Sequence, residues 1–281
     1  MNSEIVALIL LAAALHAGWN ALIKINGDRV AVMAFVTLTG SFLSLLALPF
    51  VDSPNPESWP LLFVTILLHT GYHFFLVRAY EHGDLGQVYP IARGSAPLLV
   101  TLGAVVFAGE YIDTIAMIGV FCLSVGVMTL TFERSQGIAI KPRAIFFALL
   151  TGVSIASYTI VDGLGVRQAG SVFGFAVWLT IGDGVLTFLI ALVWKKREIW
   201  RVARDNIPTG LAGGAMQVGA YWIIIYALAI APMGMVSALR ETSVLFAALI
   251  STFILKEGFS VWRFVSASLI TFGLMLSRGQ K

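Results

Sequence analysis

The sequence predicts an all-α membrane protein: ten transmembrane helices in two inverted five-helix repeats around a central cavity. Three observations carry that expectation. The 281 residues are 58% hydrophobic and only 12% charged, with a mean hydropathy of +0.90, whereas soluble domains average about half apolar and a quarter charged. Ten apolar runs reach the roughly 20 residues that a helix needs to cross a bilayer. The polar and small residues of the first five runs recur, faintly, in the last five.

The runs cover residues 4–26, 30–50, 59–81, 86–108, 112–132, 143–164, 172–194, 207–229, 234–255 and 260–277. Turn residues and charges separate them, as in Asp52-Ser53-Pro54-Asn55-Pro56-Glu57, Glu133-Arg134-Ser135-Gln136-Gly137 and Lys195-Lys196-Arg197-Glu198. No separator exceeds about 13 residues, which leaves no room for a soluble domain between spans. The first run lacks a basic start and an Ala-x-Ala-like cleavage pattern, so it reads as a retained helix.

The net charge of +3 and pI near 9.1 would suggest nucleic-acid binding in a soluble chain. Here the basic residues lie in short loops between apolar runs, where they set topology, and no nucleic-acid partner is expected. About 13 Lys and Arg accompany the loops after runs 1, 3, 5, 7 and 9 and about 3 lie on the other side, which places both termini outside the cytoplasm. The single cysteine, Cys122, sits among Gly119 and Gly126 at helical spacing and reads as a packing residue.

Ala79, Gly86, Val88 and Ser95 recur 148 residues later as Ala227, Gly234, Val236 and Ser243, and Glu110 recurs as Glu257. Tyr72-His73 is echoed by Tyr221-Trp222, and an offset of 139 sets Trp19 against Tyr158 and Ile23 against Asp162. The repeating unit is therefore five helices, residues 1–136 and 137–281. Because five is odd, the second copy enters the membrane the other way up, an arrangement that puts substrate sites near the midplane between repeats.

The fourth run holds Tyr89-Pro90-Ile91-Ala92-Arg93-Gly94-Ser95-Ala96-Pro97. Proline frees backbone groups that lipid cannot satisfy, and a cation at mid-membrane costs roughly 2.5 to 3.5 kcal/mol on insertion scales, so Arg93 must face protein or a watery cavity. The ninth run repeats the theme in Ser237-Ala238-Leu239-Arg240-Glu241-Thr242-Ser243. Arg240 and Glu241 are neighbours in sequence and point apart on a helix, so each needs a partner on another span; Arg93 with Glu241 is the expected pair. Mutual neutralisation without any transport role is the alternative reading of these ions.

The remaining cavity candidates fall on helical faces. In run 1, His16, Trp19, Asn20 and Lys24 form one stripe. The alternative is helix-to-helix hydrogen bonding with a Lys24 that snorkels to the interface. Run 3 carries His69, Tyr72, His73 and Tyr80. His69 and His73 have the spacing of a metal pair, but zinc needs three or four ligands and His16 is the only other histidine within a run, so no metal is expected. Run 6 carries Thr151, Ser154, Tyr158 and Asp162; run 8 carries Gln217 and Tyr221; run 7 carries Asp183. Runs 5 and 10, with small residues at helical spacing and almost no ions, read as peripheral packing helices.

His16-Ala17-Gly18-Trp19-Asn20-Ala21 with Lys24, Tyr89-Pro90-Ile91-Ala92-Arg93-Gly94 with Pro97, and Leu239-Arg240-Glu241 with Lys256-Glu257 resemble the drug/metabolite transporter superfamily, EamA type, over the whole chain. The resemblance implies a cavity bounded by helices 1–4 and 6–9, helices 5 and 10 outside it, and export of amino acids, metabolites or drugs across the bacterial inner membrane. The aromatic amino acid exporters are the nearest analogy. That family is drawn with cytoplasmic termini, opposite to the orientation that the charge distribution gives.

No phosphate-cradling G-x-x-x-x-G-K-[ST] loop is present, so the expected activity is secondary transport without a cofactor or a catalytic residue. The expected partners are a small-molecule substrate and the lipid bilayer, and the expected unit is a monomer. An intramembrane aspartyl hydrolase built on Asp162 and Asp183 is one alternative, although Thr180 replaces the glycine such an enzyme would have upstream of its Gly-Asp. A channel or a broad drug exporter is another. The rings of Trp19, Tyr72, Tyr80, Tyr89, Tyr158, Tyr221 and Trp222 point to an amphipathic, aromatic substrate, with Asn20, Gln217 and the arginines available to a carboxylate.

Overall fold

In the computed structural model, which describes residues 2–24, 29–83, 85–135, 140–196, 198–250, 252 and 260–277, the chain is all-helical. The long helices are α1 (Ser3–Lys24), α2 (Arg29–Ala47), α3 (Trp59–His82), α4 (Leu85–Ala108), α5 (Thr114–Thr129), α7 (Pro142–Gln168), α8 (Val172–Lys195), α10 (Ile207–Ile230) and α13 (Val261–Ser277). Short helices α6 (Thr131–Ser135), α9 (Glu198–Asp205), α11 (Met233–Arg240) and α12 (Ser243–Leu249) fall between them. Among the described residues, eight segments are long and apolar enough to cross a membrane, and α13 is a shorter apolar helix. Large apolar side chains stay on the outside: Val106, Phe107 and Phe63 are 73%, 69% and 64% exposed, as a lipid-facing surface requires and water would not tolerate.

Local signals set the ends. Asp113 caps α5 by accepting from the Ala116 amide at 2.7 Å, and Ser171 caps α8 by accepting from Gly174 at 3.0 Å. Prolines stand in the first turns of α3, α7 and α10, where their missing N–H costs nothing. Gly109 and Gly170, with φ of +64° and +67°, turn the chain after α4 and α7. α9 packs Ile199 inward and leaves Trp200 exposed, a surface helix inside what reads in sequence as a plain loop.

The ninth expected span is not one helix. α11 stops at Arg240, the amides of Glu241, Thr242 and Val244 bond three residues back, and Thr242 Oγ1 donates to Leu239 O at 2.7 Å, before α12 resumes. Glu241, whose carboxylate accepts from Arg93 of α4, stands in this tightened turn. α4, its counterpart, stays continuous through Pro90 and Pro97. The break thus falls where a buried charge must be aimed, and the prolines mark no break.

Packing pairs the helices in a regular exchange. α3 lies on α7 as α10 lies on α1; α4 lies on α7 as α11 and α12 lie on α1; α10 meets α2 as α3 meets α8. α2 packs against α8, and α5 against α13. Ser41 donates to Thr180 O at 3.0 Å, and a Cβ added at Gly184 would meet Thr37, so α8 runs backward as α2 advances. α13 likewise runs antiparallel to α5: Gly119 faces Ser277, and Gly126 faces Ile270. A Cβ on Gly119 would lie 2.6 Å from Gly273 O, so this seam depends on glycine. Such exchange is the contact pattern of two halves related by a half-turn.

Candidate functional site

Two adjoining cavities lie between the halves. The larger, about 1060 Å³, is walled by the final turns of α1, α3, α5 and α8, the first turns of α2, α4 and α13, and by α12. Among the expected residues, His16, Trp19, Asn20, Tyr72, His73, Tyr80 and Tyr89 line it. Glu133 at the end of α5–α6 and Arg263 of α13 reach its rim, joined at 2.8 Å, so the peripheral helices contribute their ends. Below it lies a compartment of about 80 Å³ lined by His69, Arg93, Tyr158, Gln217, Tyr221 and Arg240, with His16, Trp19, Tyr72 and His73 common to both spaces.

Three expected cavity residues line neither space. Glu241, fully buried, turns to Arg93, whose Nε donates to Glu241 Oε2 at 3.0 Å. Asp162, also fully buried, lies behind the wall: it accepts from Thr65 Oγ1 at 2.6 Å and from the Tyr221 hydroxyl, and His69 Nε2 stands 3.5 Å from its Oδ2. Trp222 follows Tyr221 on α10 and points about 100° away, toward α8, where its Nε1 donates to Thr180 Oγ1 at 3.1 Å. The Lys24 side chain, Lys256 and Glu257 lie outside the described residues.

The charges form two centres. At the first, Arg93 and Arg240 flank Glu241 on α4 and α11, with Arg240 Nε 4.0 Å from Glu241 Oε1. Their guanidinium groups also stand over rings, Arg93 5.9 Å from the Tyr89 centroid and Arg240 5.9 Å from that of Tyr158. The 148-residue separation of Arg93 and Glu241 equals the offset of the internal repeat, so the pair joins equivalent positions of the two halves. At the second centre, Thr65 and His69 on α3, Tyr158 and Asp162 on α7 and Tyr221 on α10 are locked together; His69 stacks on Tyr158 at 3.9 Å and hydrogen-bonds Tyr221 at 2.8 Å.

A smaller link runs from His73 through Thr187, 3.3 Å away, to Asp183 at 3.4 Å. Asp162 and Asp183 thus have different partners and do not form a proton-sharing dyad. Asn20 Nδ2 donates to His16 O at 2.8 Å, holding its own helix, while the ring of His16 meets Trp19 edge-on at 5.0 Å. Among the described residues, no cluster of three His, Cys, Asp or Glu could hold a metal ion.

Sequence reasoning missed Thr65, Thr180 and Thr187, since an isolated threonine in an apolar helix gives no signal until its partner is known. It also missed a hydrogen-bonded ion pair at the opposite end of the bundle. There Arg167 at the end of α7 donates to Glu110 at 2.7 Å and to the carbonyls of Leu228 and Ala231 at the end of α10, and Glu110 accepts from the Met233 amide that opens α11.

The comparisons with known proteins agree with this architecture. The model of the EamA-like transporter family matches the chain twice, over residues 4–132 and 142–279. The chain belongs to the EamA-like transporter family. It is therefore a multi-pass membrane protein of the drug/metabolite transporter type. A solved structure described only as "Crystal structure of protein" is similar in fold, with a TM-score of 0.77 and 17% identity over 98% of this chain and 95% of that one. No curated protein matches the sequence.

Proposed function

We propose that this EamA-like chain is a secondary transporter of the bacterial inner membrane that exports small amphipathic metabolites, amino acids including aromatic ones, by alternating access. The observation that carries the reading is the asymmetry of the bundle: a cavity of about 1060 Å³ occupies one end, while Glu110 and Arg167 tie α4, α7, α10 and α11 together at the other. A cavity at one end with closure at the other is one half of an alternating-access cycle. Interconversion would exchange the roles of two five-helix repeats, residues 1–136 and 137–281, within a monomer of ten spans.

The rings of Trp19, Tyr72, Tyr80 and Tyr89 on the cavity wall support a substrate with a flat apolar body. The buried His69–Tyr221–Asp162 group supports proton coupling, since titratable side chains at membrane depth serve proton relays. The test is phenylalanine flux from purified protein in liposomes, with and without an imposed proton gradient. Flux that follows the gradient supports coupled export; flux indifferent to it makes the protein a facilitator.

A further inference from the structure

The small compartment offers more hydrogen-bond donors than acceptors. Arg93 and Arg240 both line it, 2% and 5% exposed. Arg93 uses its Nε on Glu241, yet its Nη2 is buried without a partner, and so are Nε and Nη2 of Arg240 and Nε1 of Trp19. The matching acceptor on the same wall is Gln217 Oε1, also without a partner. Of the nearby carboxylates, Glu241 does not line the compartment: its Oε2 accepts from Arg93, and its Oε1 stands 4.0 Å from Arg240 Nε without a hydrogen bond, which leaves Nη2 of both arginines unmet; Asp162 has both oxygens engaged by Thr65 and Tyr221. Asp183, on the far wall, accepts from Thr187.

Buried donors left unmet are costly, and guanidinium groups favour a planar, bidentate acceptor. A compartment of about 80 Å³ has room for a head group of a few heavy atoms, and Trp19 and Tyr72 line both it and the adjoining ring-lined cavity. We propose that Arg240 and Arg93 form an anion site that takes the carboxylate of a ring-bearing monocarboxylate, whose apolar body lies across Trp19 and Tyr72. The carboxylate is the group the site selects; an amino group is secondary to it. This deepens the exporter reading and rests on its assignment of the cavity as the substrate path.

Calorimetric titration of the purified protein in nanodiscs with 3-phenylpropionate, phenylalanine and phenethylamine tests it. The first two should bind, and phenethylamine, which shares the ring but lacks the carboxylate, should not. Arg240→Gln should weaken phenylpropionate binding by about 10- to 100-fold, the loss of a charge-assisted contact. Arg240→Lys, which keeps the charge and loses the fork, should fall between and carries the test if Arg240→Gln does not fold. Phenethylamine binding as tight as phenylpropionate, no binding of either carboxylate, or full affinity in a folded Arg240 variant would each overturn the anion site. Phenylalanine flux in liposomes separates this from the exporter reading: flux unchanged by Arg240→Gln removes the anion site and keeps the exporter, whereas carboxylate binding without flux keeps the site and removes the exporter.

Discussion

The two ends of the bundle are built from equivalent helices and hold them differently. At one end the last turns of α1, α3 and α8 stand apart around a cavity of about 1060 Å³. At the other, the last turns of α4, α7 and α10 are drawn together by a single ion pair whose members also occupy helix-end groups: Arg167 takes the carbonyls of Leu228 and Ala231, and Glu110 takes the amide of Met233. Groups that a helix end leaves unsatisfied are available as partners when a neighbour approaches. In the alternating-access cycle proposed above, closure here would need no large apolar interface, since a few hydrogen bonds hold these helix ends. Between the ends, the Arg93–Glu241 pair joins the halves at positions the internal repeat makes equivalent.

The largest expected effect comes from breaking that pair. Arg93→Leu removes the one hydrogen-bonded cation of the fully buried Glu241 and leaves it only Arg240, 4.0 Å away, a loss of about 3 kcal/mol. Adding Glu241→Leu should restore the unfolding temperature in detergent, while flux in liposomes stays at background in both variants. Recovery of flux in the double variant would make the pair a structural clamp with no part in transport.

Next in size is the end held by Glu110 and Arg167. Glu110→Gln weakens its hold on Arg167 and on α11, and should raise the labelling of a cysteine placed at Ala108, in a Cys122→Ser background, by about 5- to 10-fold with an impermeant maleimide, a shift of roughly 1 kcal/mol in a two-state equilibrium. Unchanged labelling would show that Glu110 does not hold this end shut.

The second charge centre gives a more selective effect. Asp162→Asn retains the shape that Thr65 and Tyr221 surround and removes the titratable carboxyl, so flux should lose its response to an imposed proton gradient while downhill flux continues at about the wild-type order of magnitude. A full gradient response in that variant assigns coupling elsewhere. The smallest effect on transport belongs to the α5–α13 seam. Gly119→Ala places a Cβ against Gly273 and Ser277 and should cost about 1 to 3 kcal/mol of stability, with the apparent KM for substrate unchanged in the protein that remains folded.

What could be read from the chain follows the cost of each feature in lipid. Arg93, Arg240 and Glu241 stand out in apolar runs because a buried ion is intolerable without a partner, and since positions 240 and 241 point apart on a helix, a partner on another span, Arg93 for Glu241, could be expected. Helical spacing likewise brought His16, Trp19, Tyr72 and His73 to one space. Facing residues one position apart were harder: Tyr221 and Trp222 look equivalent in sequence, yet α8 claims one and the cavity the other. The turn at Glu241 and Thr242 gave no proline or glycine signal, because it is made by bonds reaching three residues back and by a threonine hydroxyl. The Glu110–Arg167 ion pair joins two residues at helix ends, where charges are ordinary, so nothing in the sequence marked them as a pair.

The central claim is that an aromatic amphiphile crosses the membrane through this cavity. Counterflow in liposomes containing the purified protein tests it most directly: with unlabelled phenylalanine inside, the account predicts transient accumulation of labelled phenylalanine, absent from protein-free liposomes and from the Arg93→Leu/Glu241→Leu double variant. Counterflow of sugars or inorganic ions with none of phenylalanine, tryptophan, threonine or methionine would contradict it.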